Sequence, residues 1–516
     1  MPLTSSAPAA PYSVSAHAGG TPALSFSVSA RIVQALIVAC CLAAGLVFGS
    51  ALARAQSDNE SSVPAPSAAT GAGSGFSLSP DSPFSGSAPE EKPTPGVLPL
   101  SFKDAVERGL RSNLGLLLQG DNTMYVHGER WKELSNLLPN FNASVSENVQ
   151  QTDLAALGFR GFIPGIPSVI GPFNYFDAHF ALKQQVFDLH ALERERGAAL
   201  NVKAAQQSYN DARDFVVLAV GNAYLLTIAA ASRVDTAQAQ VETAQALYGK
   251  SSDQLKAGLI PAIDSLRAQV ELQSRQQQLI AVRNAYEKQK LTLGRVIGLA
   301  PGQEFTLTTK APYEPLAAMG IDEALRRAYS SRSDYQSALT KIQAAQFFRK
   351  AATAEHIPSV DVAANYGAVG VNPGSSHGTF QVAGTLNIPI FSGGKAHADA
   401  LQAEANLRQY NSQLDDLRGK IDYEVRSALL DLQSAAQQVE VARSTLDLAS
   451  QTLDQARDRF AAGVVDNLEV VQAQESVAAA NESYISSLYA HNLAKVELAH
   501  AIGYAEKGVL EFLNRQ

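Results

Sequence analysis

The stretch Leu255-Lys256-Ala257-Gly258-Leu259-Ile260-Pro261 decides the fold of this chain, together with its counterpart Phe460-Ala461-Ala462-Gly463-Val464-Val465-Asp466. In each stretch a glycine follows a long helical pattern, which is the usual position of glycine after the end of a helix. Pro261 then opens the next helical pattern in the first stretch, and Asp466 or Asn467 is the candidate N-cap in the second. Each stretch therefore predicts a tight helix-turn-helix.

The sequence around the two turns is duplicated. Residues 220–298 align with residues 425–503 at a constant shift and without a gap. A second, slightly larger shift aligns Ala105 with Ala324 and Pro139 with Pro358. The unit is far longer than the 20–50 residues of a solenoid repeat. We expect a tandem duplication, with a first repeat at residues 98–307 and a second at residues 308–516.

A heptad runs through both copies of the long helical pattern. Large residues recur at every seventh position, from Val220 to Leu255 and from Val425 to Phe460, and alanine predominates three residues after each of them. A sustained heptad predicts a left-handed coiled coil, and small seam residues let the helix backbones approach closely.

The lengths of the helical patterns predict a rod or tube. The two long patterns, from Leu189 to Ala257 and from Lys395 to Ala462, correspond to helices of about 100 Å at 1.5 Å per residue. Each is followed by a return helix of about half that length. Another helix of similar half length precedes Pro139 and Pro358, beginning near Phe102 and Ile321. Two half-length helices are therefore expected to lie antiparallel along each long one.

Four short segments alternate between apolar and polar residues, two in each repeat. Their apolar positions run from Phe141 to Val149, from Phe176 to Val186, from Val360 to Tyr366 and from Phe380 to Ile390. Strands of this length suit a tilted membrane barrel, although a soluble half-buried sheet shows the same alternation. Four strands cannot close a barrel, and open edges are not tolerated in lipid. If the strands span a membrane, two or three chains must share one barrel.

Composition excludes several classes of function. The 516 residues have a formal net charge of −8 and no basic block, so a nucleic-acid partner is not expected. The only cysteines, Cys40 and Cys41, are adjacent and cannot form a disulfide framework or a cysteine metal site. The nine histidines show no metal-binding spacing, and we find no catalytic motif or phosphate loop. The sequence therefore predicts no cofactor, no metal and no enzymatic activity.

The N-terminal region is typical of an exported protein. An apolar run from Ile32 to Leu52 follows Arg31 and ends in Ala53-Arg54-Ala55, so residues 1–55 are interpreted as a signal peptide. An uncleaved membrane anchor and lipidation at Cys40 are the alternatives. Residues 56–97 are rich in Ser, Pro, Ala and Gly, which predicts a disordered tether.

The chain resembles the TolC-like family of outer-membrane efflux proteins over almost all of its length after residue 97. The features that carry the resemblance are the opening Leu100-Ser101-Phe102, the prolines that precede the strands, Ile390-Phe391-Ser392-Gly393-Gly394, and the two helix turns. The duplicated order of these features is more specific than any single motif. The resemblance implies a mostly α fold with a small membrane β part: a long antiparallel coiled-coil α-barrel and a β-barrel completed by a homotrimer.

The family also implies partners and sites. The barrel lies in outer-membrane lipid, a periplasmic adaptor docks at the helix-turn-helix tips, and an inner-membrane transporter supplies the energy. The matching tip residues are Gly258, Leu259, Gly463 and Val464. Asp264 and Glu469 match acids that narrow the entrance in some members, although acids in a first helical turn also simply stabilise the helix dipole. Val465 and Gln472 replace an arginine and an acid of some relatives.

Three functions remain open at this point. We expect a passive exit duct for small molecules. Another possibility within the family is the outlet of a type I polypeptide secretion system. A different class is a periplasmic coiled-coil scaffold or adaptor without membrane strands.

Overall fold

The computed structural model describes residues 79, 81–89, 92–93, 95–156, 167–309, 313–316, 319–462, 464–465, 467–506 and 508. The predicted signal peptide, the alternative of lipidation at Cys40 and most of the predicted tether lie outside these residues. Within them the helices are α1 (Phe102–Ser112), α2 (Leu114–Ser135), α3 (Leu189–Lys256), α4 (Ala262–Val296), α5 (Ile321–Ser331), α6 (Ser333–Ala354), α7 (Lys395–Ala461) and α8 (Asn467–Ala501). The strands are β1 (Leu98–Leu100), β2 (Asn140–Asp153), β3 (Val169–Phe187), β4 (Phe305–Leu307), β5 (Ser359–Gly370) and β6 (His377–Asn387).

The two long helices confirm the prediction from the heptads. Helices α3 and α7 contain 68 and 67 residues, and each of the return helices α4 and α8 contains 35. An 18-residue window of α3 is apolar enough to cross a membrane, but 67% of it is buried inside the protein, as expected of a core helix.

The half-length helices lie along the long ones, as predicted. Near its start, α3 contacts α2 through Arg194 and Glu133, whose closest charged atoms are 2.6 Å apart. Towards its end, α3 contacts α8 through Arg233 and Glu482 at 2.8 Å. Helices α6 and α8 likewise pack against α7, one near each of its ends. The result is a layer of antiparallel helices with the sheet at one end and the turns at the other.

The predicted single helix before each proline is wrong, because both are broken into two. The break between α1 and α2 lies at Asn113, and the break between α5 and α6 lies at Arg332; both residues have extended backbone conformations. The side chain of Asn113 accepts a hydrogen bond from the backbone N–H of Gly115 at 3.0 Å and so caps the second helix. An asparagine within a helical pattern is only a weak indication that the helix is interrupted, and a single arginine gives no indication of an interruption.

The end of the predicted tether is ordered, contrary to expectation. Residues 83–85 form a 3-10 turn, and the ring of Phe84 lies 4.6 Å from that of Phe215 on α3. The backbone N–H of Ala88 donates to the carbonyl of Ser112 at 2.8 Å. One aromatic residue and a few backbone bonds are thus enough to fix a segment whose composition predicts disorder.

The largest core lies midway along the helices. It includes Phe102 of α1, Val220 and Tyr224 of α3 and Val496 of α8, all nearly or completely buried. The parallel pair of strands β1 and β4 covers this core, and the Tyr224 hydroxyl donates to the carbonyl of Leu100. These strands were not predicted, since three residues are too few to show a periodicity.

Candidate membrane sheet and channel entrance

The four predicted membrane strands form one antiparallel sheet in the order β2-β3-β5-β6. Strands β2 and β3 contain 14 and 19 residues and extend beyond the predicted segments, whereas β6 ends before Ile388 and Ile390. Strands β2 and β6 are the two edges of the sheet. Within this chain the sheet is therefore open.

The register places most apolar side chains on one face and most polar side chains on the other across all four strands, with Glu147 and Gln184 as exceptions on the apolar face. On the apolar face one row contains Ala143, Phe180, Tyr366 and Phe380, directly opposite one another. The neighbouring row on the other face contains Asn142, Ala181, Asn365 and Gln381. A one-residue slip would mix the two faces, so this register preserves the separation.

The apolar face is exposed rather than packed. Phe380 is 79% exposed and Phe141 is 75% exposed, and Phe180, Tyr366 and Val382 are similarly accessible. A half-buried soluble sheet would cover this face. Exposed aromatic and aliphatic rows opposite a polar face instead favour contact with lipid on one side and water on the other.

The first helix-turn-helix has the hydrogen bonds of a glycine-capped helix end. The N–H of Gly258 donates to the carbonyl of Leu255 and the N–H of Leu259 to that of Gln254, both at 2.9 Å. Gly258 has a φ of +74°, in the left-handed region that glycine tolerates best. Leu259 is 73% exposed, so the tip presents an apolar side chain.

The second tip follows the same plan where it is described. Gly463 and Asp466 lie outside the described residues, but the N–H of Val464 donates to the carbonyl of Arg459 at 3.0 Å, the same bond that Leu259 makes in the first tip. Val464 is 68% exposed. The duplication therefore extends from sequence to backbone hydrogen bonding.

The two entrance acids occupy equivalent positions but have different partners. Asp264 lies 3.5 Å from Arg267, three residues further along its own helix. Glu469 lies 2.6 Å from Arg459, which belongs to the preceding helix, α7. Sequence reasoning missed both arginines, since Arg267 is matched by Gln472 and Arg459 by Gln254 in the other repeat.

A second group of charged residues surrounds the break between α5 and α6. The buried guanidinium of Arg332 lies 2.7 Å from Asp334 and 2.6 Å from Glu424 of α7, and it also donates to the carbonyl of Ala501. Asp211 of α3 faces the same group. Nothing in the sequence pattern marks these residues as neighbours.

The environment shifts two pKa values in this group in opposite directions. Burial, and then the charge of Asp334, raises the pKa of Asp211 to about 7. Burial, followed by the positive charge of Arg332, lowers the pKa of His500 to about 4. Asp214 and Lys420 also act on Asp211, the first raising and the second lowering its pKa.

The described residues contain no group of three or more His, Cys, Asp or Glu side chains that could hold a metal ion.

The features that the fold brings to its two ends are an amphipathic sheet and a pair of helical tips. Together with the layer of antiparallel helices between them, they are the features of a chain that belongs to an outer-membrane duct extending into the periplasm.

Comparison with known proteins identifies the family to which the chain belongs. The model of the outer membrane efflux protein family matches residues 133–299 and 324–504, one segment in each predicted repeat. The chain belongs to this family, as the resemblance indicated. It is located in the outer membrane and acts as an efflux channel, and the family consists of channel proteins rather than enzymes.

Two relatives and one solved structure show the extent of the similarity. The chain is 21% identical to the alkaline protease secretion protein AprF of Pseudomonas aeruginosa over 80% of this chain and 88% of that protein. It is 22% identical to the outer membrane protein TolC of Escherichia coli over 66% and 72%. The CmeC outer membrane channel of Campylobacter jejuni has a similar fold, with a TM-score of 0.67 at 18% identity over 78% of this chain and 86% of that one.

Proposed function

We propose that three copies of this chain close a 12-stranded barrel and form a passive exit duct for small molecules. The observation that carries this proposal is the four-stranded sheet, which has an exposed apolar face, a polar face and two open edges. Because open edges are not tolerated in lipid, β6 of one copy pairs with β2 of the next until the ring closes. The alternative of a periplasmic scaffold is wrong, since it predicted no such strands.

The energy for transport comes from a transporter in the inner membrane, through a periplasmic adaptor that binds the helix-turn-helix tips. The exposed Leu259 and Val464 give each chain two apolar contacts at matching positions. The turn at Gly258 leaves open space around its α-carbon, which permits close approach of a partner. Gly463 aligns with Gly258 in the sequence of the second repeat.

The docking role of the tips has a direct test. We expect Gly258→Asp and Gly463→Asp to abolish export from cells while trimers still assemble in the outer membrane. Gly419→Asp, on an exposed part of α7 away from the tips, is the control and should export normally. Normal export by both tip variants would contradict the docking role.

The entrance acids Asp264 and Glu469 give a trimer six carboxylates near its periplasmic end. A ring of acids at a narrow opening favours cations and repels itself, so that the opening responds to neutralisation. The double variant Asp264→Asn, Glu469→Gln is expected to change cation selectivity and raise conductance in a lipid bilayer. Unchanged conductance and selectivity would leave the acids with only their helix-dipole role.

The kind of molecule that is exported distinguishes the proposed function from its main alternative, the polypeptide outlet. AprF, with which the chain shares 21% identity, is a protein of alkaline protease secretion, so a polypeptide outlet has one observation in its favour. Cells that lack this chain should retain a small fluorescent dye and release it when the chain is restored. Restored secretion of a polypeptide without any change in dye release would favour the outlet instead.

A further inference from the structure

The polar face of the membrane sheet carries ionisable side chains in two neighbouring rows. Each row crosses the strands in the order β2, β3, β5 and β6, and its members lie directly opposite one another. One row consists of Ser144, His179, Gly367 and Thr379. The next row consists of Ser146, Asp177, Val369 and His377. Two histidines and a carboxylate therefore share the same small part of the polar face.

The imidazole of His179 is held between two strands and remains in contact with water. Its Nδ1 lies 2.9 Å from the carboxylate of Asp177 on the same strand, and its Nε2 lies 3.2 Å from the hydroxyl of Ser144 on β2. The side chains of His179 and Asp177 are 35% and 24% exposed. On β5 the opposite residue is Gly367, where a β-carbon would lie only 2.6 Å from that of His179. The ring is therefore fixed in position and can exchange a proton with the solvent.

The net charge of the polar face depends on the two histidines. Along the regular register of the four described strands, its other charged side chains are the acids Asp177 and Asp361 and the base Lys183. One lysine against two acids gives this face of each chain a net charge of −1 while both histidines are neutral. Protonation of both histidines changes the net charge to +1. Two protons per chain therefore reverse the sign of the charge on this face.

The immediate neighbours of the two histidines on the polar face are mostly uncharged. On β2 and β5 the residues opposite and diagonal to His179 are Asn142, Ser144, Ser146, Asn365, Gly367 and Val369. On β3 itself, Lys183 and Tyr175 lie four residues to either side of His179. His377 is the first residue of β6, faces Val369 and lies in the same row as Asp177. Among the described residues, Asp177 is therefore the ionic partner of His179.

We infer that His179 and His377 determine which sign of charge the duct favours, and that its selectivity shifts from cations towards anions when both are protonated. This dependence rests on the proposed function, in which three copies close around the polar face and bring its net charge to −3 or +3. Histidine is the side chain that ordinarily changes its charge between pH 5 and 8, and rings of charged side chains set the ion preference of channels. Organic cations therefore pass more readily at neutral pH, and organic anions pass more readily in acid.

The selectivity can be measured as the reversal potential of the purified channel in a planar bilayer of phosphatidylcholine. A KCl gradient of about tenfold around 0.1 M keeps the Debye length near 10 Å, so that charges on the polar face act on passing ions. From pH 8 to pH 5 the permeability ratio of K⁺ to Cl⁻ should fall at least about twofold. The double variant His179→Gln, His377→Gln should lose most of this change.

Two control variants distinguish the sheet histidines from other groups that titrate in the same range. His127→Gln removes an exposed histidine of α2, outside the sheet. Asp211→Asn removes the carboxyl group of α3 whose pKa is raised to about 7 by burial. Both variants should keep the full change of selectivity with pH, because neither alters the polar face.

A further variant keeps the test decisive if the double variant assembles poorly on an unheated gel. Asp177→Asn removes one negative charge per chain, so it should shift the selectivity towards anions at both pH values while the change with pH persists. Selectivity that is constant with pH in the unmodified channel, equal pH dependence in the double variant, or no shift in Asp177→Asn would overturn the inference. A conducting channel with constant selectivity would leave the proposed duct intact, whereas the absence of conductance at every pH would contradict both.

Discussion

The guanidinium of Arg459 lies 2.6 Å from a carboxylate oxygen of Glu469 and joins α7 to α8 beside the second tip. The equivalent acid of the first repeat, Asp264, has its arginine partner on its own helix. The two tips therefore share a backbone arrangement but differ in these ion pairs: the arginine paired with Glu469 lies on the preceding helix, whereas Arg267 lies on the same helix as Asp264.

Glu469→Gln is therefore expected to affect the entrance more than Asp264→Asn. The Glu469 pair is partly exposed and contributes about 0.2–1 kcal/mol, enough to change the balance between two entrance arrangements by a factor of about 1.4–5. Arg459→Gln should have the same effect, because it breaks the same pair. Single-channel recording at low and high salt provides the measurement, and equal effects of the Asp264 and Glu469 variants would contradict this assignment.

Arg332 is expected to be the most important charged residue for stability. Arg332→Met leaves Asp334 and Glu424 without their buried partner, and the free energy of unfolding should fall by about 3–5 kcal/mol. The matched control is Arg327→Met, which removes an exposed pair with Glu323 on α5 and should change stability by less than about 1 kcal/mol. Thermal unfolding followed by circular dichroism measures both, and similar losses for the two variants would refute the prediction.

The raised pKa of Asp211 predicts the direction in which the stability of the folded chain changes with pH. Between the unfolded value of 3.8 and the folded value of about 7, the folded chain retains a proton that the unfolded chain has lost. This contribution to stability is therefore complete below pH 3.8 and is lost as the pH rises through 7. The limiting slope is about 1.4 kcal/mol per pH unit.

Asp211→Asn removes this titration and should become more stable relative to the unmodified protein as the pH rises from 5 to about 7, with little further change above. Comparing the two proteins cancels the opposite contribution of His500, which is present above pH 6.5 and lost as the pH falls to about 4. Asp422→Asn is the control, because its bond from Arg426 lowers the pKa of Asp422. A constant difference between Asp211→Asn and the unmodified protein from pH 5 to 8 would contradict the account.

The two faces of the sheet predict opposite responses to a new charge. Phe380→Lys places a cation on the exposed apolar face and should cost about 2–4 kcal/mol in a membrane. Gln381→Lys places the same cation on the polar face one residue away and should be tolerated. The amount of assembled protein in isolated outer membranes is the measurement, and equal assembly of the two variants would be inconsistent with a lipid-facing apolar row.

The regular parts of this fold could be predicted because they repeat. The heptads and the glycines after Ala257 and Ala462 place the ends of α3 and α7 within one or two residues. The alternation of Phe141, Ala143, Val145 and Val149 with polar residues marks β2 as a strand by its period of two. Long periodic patterns average over local exceptions, so the type of these elements and the bounds of the two long helices follow from the sequence.

The irregular parts could not be predicted, because each depends on a contact between distant residues. The helix break at Arg332 is stabilised by Glu424, and the ordered turn at Phe84 is stabilised by Phe215. The partner of Glu469 lies ten residues earlier, across a turn, and has no counterpart in the other repeat.

The central claim is that the open four-stranded sheet is completed by other copies of the chain in the outer membrane. The most direct measurement is detergent extraction, followed by gel electrophoresis without heating and by recording in a planar lipid bilayer. The account predicts a trimer that dissociates on heating and a discrete single-channel conductance. A monomer that is soluble without detergent and shows no conductance would contradict it.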